Sequence, residues 1–280
     1  MSFWYNIVDL FLPFDWAHYT FMKNALLGVL LVTPMFGLLG TMVVNNKMAF
    51  FADALGHSAL TGIAIGVILG VKNPIWSMLA FSLLLAVVIT KVKNVNTSST
   101  DTIIGVFSST AVALGVVMLS FGGGFTKYSV YLIGDLLSIS QIDLIILPII
   151  FIIVVIIWVA TFNKLLLVSV NPLLARSRGV NVDFYENLFT ITVAVIVTIS
   201  IQWVGVLIIS SMLVLPAAAA RNISSNMRQY HVYSIAIALI SGVVGLILSY
   251  FLGSAAGATM VLISSLFFGA TFFMKVKIYS

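Results

Sequence analysis

Long apolar stretches, each interrupted by charged or turn-forming residues, recur from one end of the chain to the other. Each stretch is about 17–22 residues long, and a helix of about 20 apolar residues crosses a hydrocarbon core of about 30 Å. The pattern therefore predicts an all-α fold, a polytopic integral membrane helical bundle with eight or nine transmembrane helices. The predicted spans cover residues 24–44, 48–69, 74–92, 102–120, 142–162, 187–202, 204–220, 231–251 and 257–274.

The choice between eight and nine spans depends on the segment around Gln202 and Gly205. Almost no loop separates the two predicted spans there, so they form either one broken helix or a tight hairpin. Residues 1–20 carry two aspartates and several aromatic residues in place of a basic start and an apolar run, which predicts an interfacial lead-in. We interpret residues 1–280 as a single transmembrane permease domain.

The composition excludes a soluble globular protein. Hydrophobic residues make up 61% of the chain and charged residues 8%, whereas soluble domains average about 45–50% and about 25%. The chain has no cysteine, which excludes disulfides, thiolate metal sites and a cysteine nucleophile. Any metal site must therefore use His, Asp or Glu.

The net charge of +5 indicates orientation and gives no reason to expect a nucleic-acid partner. Ten of the 13 basic residues lie in alternate connections between the spans, and three lie in the others. Short cytoplasmic loops carry the excess of Lys and Arg. The rule places the ten in the cytoplasm and, for nine spans, the N-terminus outside and the C-terminus inside.

Asp53 and His57 are the main candidates for chemistry inside the membrane. They are four residues apart in the second span, so both side chains lie on one helix face. Counted as helix from Lys47, His57 lies about 15 Å into the membrane. Carboxylate and imidazole are good ligands for zinc or manganese. A homodimer would bring four such donors around its axis, with water in the remaining positions.

A purely structural interpretation of this pair stays open: Asp53 and His57 can pair with each other or with a hydroxyl and anchor the bundle. Three further polar residues, Asp135, Asp143 and Gln202, are candidates for lining a pathway, although loop solvation explains Asp135 slightly better. His18 and His231 are interpreted as interfacial residues without a ligand role.

Residues 163–186 form a predicted cytoplasmic loop that is more than a connector. Asn171 and Pro172 can start a short helix and Gly179 can end it, which predicts a small docking element. The chain has no Gly-Lys dipeptide, hence no G-x-x-x-x-G-K-[ST] phosphate loop, and is not itself a P-loop ATPase. A docking helix fits energy supplied by another subunit.

Three segments resemble the membrane permeases of ABC-type zinc and manganese importers, a class related to cobalamin and siderophore importers. They are KMAFFADALGHSALTGIAIG, NPLLARSRGVNV and VGVLIISSMLVLPAAAAR, and the similarity runs over roughly residues 20 to 272. In many manganese-importing members a proline precedes the glycine that here is Gly62. This chain has Thr61 there, which resembles zinc-importing members.

The resemblance implies that Asp53 and His57 contact a transported Zn²⁺ or Mn²⁺, with no permanently bound cofactor. It implies that the segment from Ala175 through Arg176 to Gly179 docks on the ATPase. The implied assembly is a homodimer in the bacterial cytoplasmic membrane with two ATP-binding cassette subunits and an extracellular metal-binding protein. ATP hydrolysis would reside in those separate subunits, so this chain would not be an enzyme.

Three other functions remain open from the sequence. A permease for an organic metal chelate would need a wide cavity and would make the Asp–His pair incidental. A non-transporting membrane scaffold would need no ligand pair. An intramembrane hydrolase would need a second metal-ligand motif, and the sequence offers one convincing His–acid pair.

Overall fold

The computed structural model describes residues 2–11, 14–95, 98–121 and 134–279. Within these ranges the chain forms α-helices, two short 3₁₀ turns and no β-strand. The 3₁₀ turns are Asp15–His18 and Leu136–Ser138. The helices are α1 (Ser2–Phe11), α2 (Thr20–Asn45), α3 (Phe51–Ile68), α4 (Pro74–Val95), α5 (Thr100–Phe121), α6 (Gln141–Val170), α7 (Pro172–Ser177), α8 (Val182–Val204), α9 (Val206–Ile223), α10 (Met227–Leu252) and α11 (Ala256–Tyr279).

Eight of the described helices are long and apolar enough to cross a membrane, namely α2 to α6, α8, α10 and α11. The ninth predicted span corresponds to α9, which is a shorter apolar helix. The prediction of an all-α bundle with eight or nine transmembrane helices is confirmed. At residue 205 the chain has a break between α8 and α9, where Gly205 has φ +86° and ψ 152°. That region of the backbone map is essentially restricted to glycine.

Two helix boundaries differ from the predicted ones in ways that affect the candidate site. Residues 46–50 form turns, with Lys47 at φ +55°, so α3 begins at Phe51 and not at residue 48. The second difference is the end of α6, which continues to Val170, eight residues past the predicted end at residue 162. The predicted loop 163–186 is therefore the end of α6, the short helix α7 and the start of α8.

The chain divides into two compact units, each drawn from separate parts of the sequence. The first unit comprises Met1–Thr41, Gly134–Ile153 and Ser211–Ser280, and the second comprises Met42–Ile133 and Val154–Ser210. Both candidate segments, α3 with Asp53 and His57 and the short helix α7, belong to the second unit. No single cut of the sequence separates the two units.

In the first unit, close helix packing and buried hydrogen bonds hold α2, α10 and α11. An added Cβ at Gly245 of α10 would lie 2.6 Å from the Cα of Met260 in α11. Ser234 Oγ donates a hydrogen bond of 2.6 Å to the carbonyl of Gly37. The lead-in helix α1 is tied to α2 by Lys23 Nζ, which lies 2.6 Å from Asp9 Oδ1.

In the second unit, α3 is the central helix and packs between α4 and α5. Its glycines allow the close approach: an added Cβ at Gly62 would lie 2.7 Å from the Cα of Met78 on α4. On the α5 side, Gly115 would place a Cβ 2.9 Å from the backbone nitrogen of Thr61. Steric repulsion keeps real Cβ atoms from approaching other atoms so closely, so a larger residue than glycine would force these helices to shift. The helix that carries the candidate ligands is therefore held firmly on two sides.

Candidate functional site

Asp53 and His57 lie on one face of α3, as their spacing predicts. The Nε2 atom of His57 is 3.5 Å from Oδ1 of Asp53. The side chains are 28% and 40% exposed for His57 and Asp53 respectively, so neither is sealed in the packed core. The distance exceeds that of a good N–H···O hydrogen bond, about 2.7–3.2 Å. The two groups are close neighbours without a strong bond between them.

The later start of α3 changes the predicted depth of this pair. Asp53 stands in the first turn of the helix, and His57 is six residues beyond Phe51, about 9 Å along the axis. The prediction of about 15 Å counted residues 47–50 as helix, and the structure has turns there. The depth of His57 in the membrane stays a prediction. The new position suits the carboxylate, because the N-terminus of a helix carries partial positive charge.

The break between α8 and α9 lies against the same face of α3. An added Cβ at Gly56 would lie 3.2 Å from Val206 Cγ1 and 3.5 Å from the Val206 carbonyl oxygen. One turn further along α9, Ser210 Oγ donates a long hydrogen bond of 3.4 Å to Asp53 Oδ1. The sequence pattern predicts no functional group here. The only sequence signal was a pair of serines, Ser210 and Ser211, in an apolar helix.

Among the described residues, no group of three or more His, Cys, Asp or Glu side chains is arranged to hold a metal ion. Asp53 and His57 can therefore supply two strong donors, and further donors must be hydroxyl or carbonyl oxygens, water, or groups of another chain. Two strong donors are suited to a transient site.

The docking element has the predicted local structure. Asn171 caps α7 by accepting a hydrogen bond of 3.0 Å from the backbone N–H of Leu174, and Pro172 occupies the first helical turn, where its missing N–H is not needed. After the helix, Gly179 adopts φ +73°, which favours glycine.

Ala175 and its neighbours on α7 face in different directions. Ala175 is fully buried by this chain itself, in a cluster with Val168 of α6 and Val182 of α8. Leu173 is 76% exposed, and the Arg176 side chain is 61% exposed. The implied direct contact of Ala175 with another subunit is not available in this structure, because the side chain is covered. Leu173 and Arg176 present the accessible surface of the helix.

Polar contacts link α7 to α8 and α4. Arg176 lies 3.8 Å from Asp183, and Asp183 accepts a hydrogen bond of 3.1 Å from the Asn94 side chain. A neighbouring ion pair joins Lys93 Nζ to Glu186 Oε1 at 3.3 Å. Lys93, Asn94, Arg176 and Glu186 border an open cleft of about 420 Å³. The docking element is thus part of a bonded framework at the ends of these helices.

The remaining polar candidates have local roles. Asp135 caps the turn Leu136–Ser138, which agrees with its interpretation as a loop residue. Asp143 accepts hydrogen bonds from the backbone N–H and hydroxyl of Ser140 at the start of α6. His231 lies near the start of α10 and is buried, with Nε2 3.1 Å from Thr41 Oγ1, and its interpretation as an interfacial residue without a ligand role stays a prediction. His18 is exposed and Gln202 partly buried.

The family comparison matches residues 18–275 to the model described as the ABC 3 transport family. The chain belongs to the ABC 3 transport family. The manganese import system permease protein ScaB of Streptococcus gordonii is 32% identical over 257 residues, which cover 92% of either chain. The high-affinity zinc uptake system membrane protein ZnuB of Haemophilus influenzae is 35% identical over 241 residues, covering 86% of this chain and 92% of that protein.

A solved structure supports the fold of this ABC 3 family chain. It is PsaBC from Streptococcus pneumoniae in complex with Fab, with a TM-score of 0.79 and 29% sequence identity. The similarity covers 91% of both chains. The chain is accordingly a multi-pass protein of the bacterial cytoplasmic membrane and a permease subunit of the ABC transporter type.

Proposed function

We propose that this chain is the permease subunit of an ATP-driven importer that moves Zn²⁺ or Mn²⁺ into the cytoplasm through Asp53 and His57. The pair on α3 is the observation that carries the proposal, since it places a carboxylate and an imidazole side by side on a partly accessible helix face. Relatives named for manganese import and for zinc uptake support the same class of substrate.

The spacing of the pair fits two ligands of one ion better than a hydrogen bond. Zinc binds nitrogen and oxygen donors at about 2.0–2.2 Å, so two donors at the tetrahedral angle are about 3.4 Å apart. Asp53 Oδ1 and His57 Nε2 are separated by 3.5 Å. A cation between them would also neutralise the carboxylate, which is costly to hold in a membrane protein without a partner.

The energy for transport comes, in this proposal, from a separate ATPase subunit that docks on α7. The exposed side chains Leu173 and Arg176 form the contact surface, and Gly179 ends the segment in a conformation that favours glycine. Ala175 has a different role from the one that the resemblance implies. It supports the docking helix from inside by packing against Val168 and Val182.

The full assembly in this proposal contains two copies of this chain, two ATP-binding cassette subunits and an extracellular metal-binding protein. A second copy would bring a second Asp53–His57 pair to the pathway. The ten basic residues on one side of the predicted topology support a cytoplasmic position for α7, where an ATPase subunit would be found.

A permease for an organic metal chelate and a non-transporting scaffold are less favoured. A chelate would mask its metal from protein ligands. The closely spaced Asp53 and His57 would then have no metal to bind. A scaffold gives no reason for a paired carboxylate and imidazole beside a helix break.

The experiment is reconstitution of the chain with its ATPase subunit and binding protein in liposomes. ATP hydrolysis and uptake are measured with zinc, manganese and iron in turn. Stimulation of both by zinc or manganese supports the proposal. A complex that stays unresponsive to all three free ions, but transports a metal chelate, would contradict it.

A further inference from the structure

We infer that the hydroxyl of Ser210 is a third donor to the transported cation, beside Asp53 and His57. The inference rests on the proposed function and adds a residue from a different helix to its site. The sequence distance between Asp53 and Ser210 is 157 residues, so only the fold brings them together.

The break at Gly205 sets the position of Ser210. Asp53, Gly56 and His57 share one face of α3, because residues three and four apart are neighbours on a helix. The first residue of α9, Val206, packs against Gly56 between the two candidate ligands. Four residues later, Ser210 is on the same side of α9 as Val206 and meets Asp53. A Cβ at position 56 would require the Val206 side chain to shift by a few tenths of an ångström.

The hydrogen bond from Ser210 to Asp53 is long, and its two oxygens have the spacing of two ligands on one ion. An O–H···O bond to a carboxylate is about 2.5–2.7 Å long, whereas Ser210 Oγ and Asp53 Oδ1 are 3.4 Å apart. Two oxygen donors on one zinc ion would be separated by about 3.4 Å. Asp53 Oδ1 thus has one further donor atom on either side, Ser210 Oγ at 3.4 Å and His57 Nε2 at 3.5 Å.

A hydroxyl also suits the task of this site. It is neutral, so it adds an oxygen without adding charge that would hold a divalent ion in place. Discontinuous helices of transporters commonly place oxygen atoms near a transported cation at the break. The Gly205 break gives this chain such a discontinuity next to Asp53 and His57.

The first test uses the fact that the chain has no cysteine. Ser210→Cys introduces a single thiol into the chain, and its labelling by a small maleimide is measured in the assembled complex with and without Mn²⁺. Mn²⁺ binds thiols weakly, so protection reports occupancy of the site. We expect Mn²⁺ or, in a parallel arm, Zn²⁺ to slow labelling at least tenfold. Equal labelling rates with and without either metal would overturn the inference.

Ser211→Cys is the matched control, because it follows Ser210 on α9 and points about 100° away around the helix. Its labelling should not respond to metal. Adding Asp53→Ala to Ser210→Cys should remove the protection. Protection that persists without Asp53 would mean that the thiol binds metal by itself, which also overturns the inference.

The second test measures the metal concentration that gives half-maximal uptake. Ser210→Ala should raise it about tenfold, the lower end of the effect of outer-shell changes on metal affinity. Ser210→Thr keeps the hydroxyl and should stay close to the wild type. If uptake requires Asp53 but is unchanged in Ser210→Ala, Ser210 is not a donor, and the proposed function is unaffected. A wild-type complex that transports no metal would instead refute the proposed function.

Discussion

Thr61 Oγ1 on α3 donates a hydrogen bond to the backbone carbonyl of Ala111 on α5. One turn further along α5, Gly115 lies against the backbone of the same threonine. Thr61 is itself one turn beyond His57, so the contact fixes the helix close to the candidate ligand. A proline at this position would have no hydroxyl to make this bond.

The first prediction concerns this contact. Gly115→Ala should lower the thermal unfolding temperature of the detergent-solubilised protein, because its Cβ would lie 2.6 Å from Thr61 Oγ1 and 2.9 Å from the Thr61 nitrogen. Overpacking of this kind costs about 1–3 kcal/mol. Gly105→Ala on the same helix meets no atom within 4 Å and should be neutral or stabilising by up to about 1 kcal/mol. Equal unfolding temperatures for both variants would contradict the close packing.

The second prediction concerns the ligand pair. Asp53→Ala or His57→Ala should abolish metal uptake, because each removes one of two strong donors, while insertion and yield stay near the wild type. Radioactive or fluorescent metal uptake into liposomes is the measurement. Asp101→Ala is the matched control, since Asp101 is also an acid in the first turn of its helix and is exposed. Uptake at the wild-type rate by the Asp53, His57 double variant would refute the role of the pair.

The third prediction separates the exposed and buried faces of α7. Leu173→Gln should weaken pull-down of the ATPase subunit and reduce coupled transport, while the unfolding temperature stays unchanged because the side chain is exposed. Leu10→Gln, at 74% exposure on α1, is the control and should affect neither. If Leu173→Gln binds the ATPase subunit as tightly as the wild type, the docking surface lies elsewhere.

A related prediction applies to Ala175. Ala175→Trp should lower the unfolding temperature as well as ATPase binding, since the indole ring has to displace Val168 and Val182. Overpacking of a buried site in this way costs about 1–3 kcal/mol or more. A tryptophan variant with wild-type stability and binding would show that the cluster gives way easily.

The fifth prediction concerns topology. Single cysteines at Ser177 of α7 and at Ser254, between α10 and α11, should react from opposite sides of the membrane. We expect a membrane-impermeant maleimide to label Ser254→Cys in intact cells, and Ser177→Cys only after the cells are opened. A tag after Ser280 should be cytoplasmic as well. Labelling of Ser177→Cys in intact cells would reverse the orientation predicted from the basic residues.

The sequence was sufficient for the helices but not for all of their ends. Apolar length identified each span, and Asn171 with Pro172 marked the start of α7. Polar residues misled the prediction for α6, because Asn163 and Lys164 suggest a loop. In the structure Lys164 lies within the helix, with Nζ 5.3 Å from the centre of the Tyr185 ring. Near α3 the opposite occurred, because apolar residues 48–50 suggested helix where the chain forms turns.

The candidate site was predictable where it depends on one helix and unpredictable where it depends on two. A spacing of four placed Asp53 and His57 on one face. Nothing local predicts that Ser210 reaches Asp53, since this follows from the Gly205 break and the packing of Val206 on Gly56. The burial of Ala175 was missed for the same reason: the residues that cover it come from α6 and α8.

The burial of Ala175 has a mechanical consequence. A docking helix joined to the membrane region only by flexible chain would act as a tether and absorb small movements of whatever binds it. Here α7 is clamped between the ends of α6 and α8 by Val168 and Val182, and Asp183 connects it further to Asn94 at the end of α4. A force applied at Leu173 is therefore transmitted through direct side-chain contacts to the ends of three membrane helices, α6, α8 and α4.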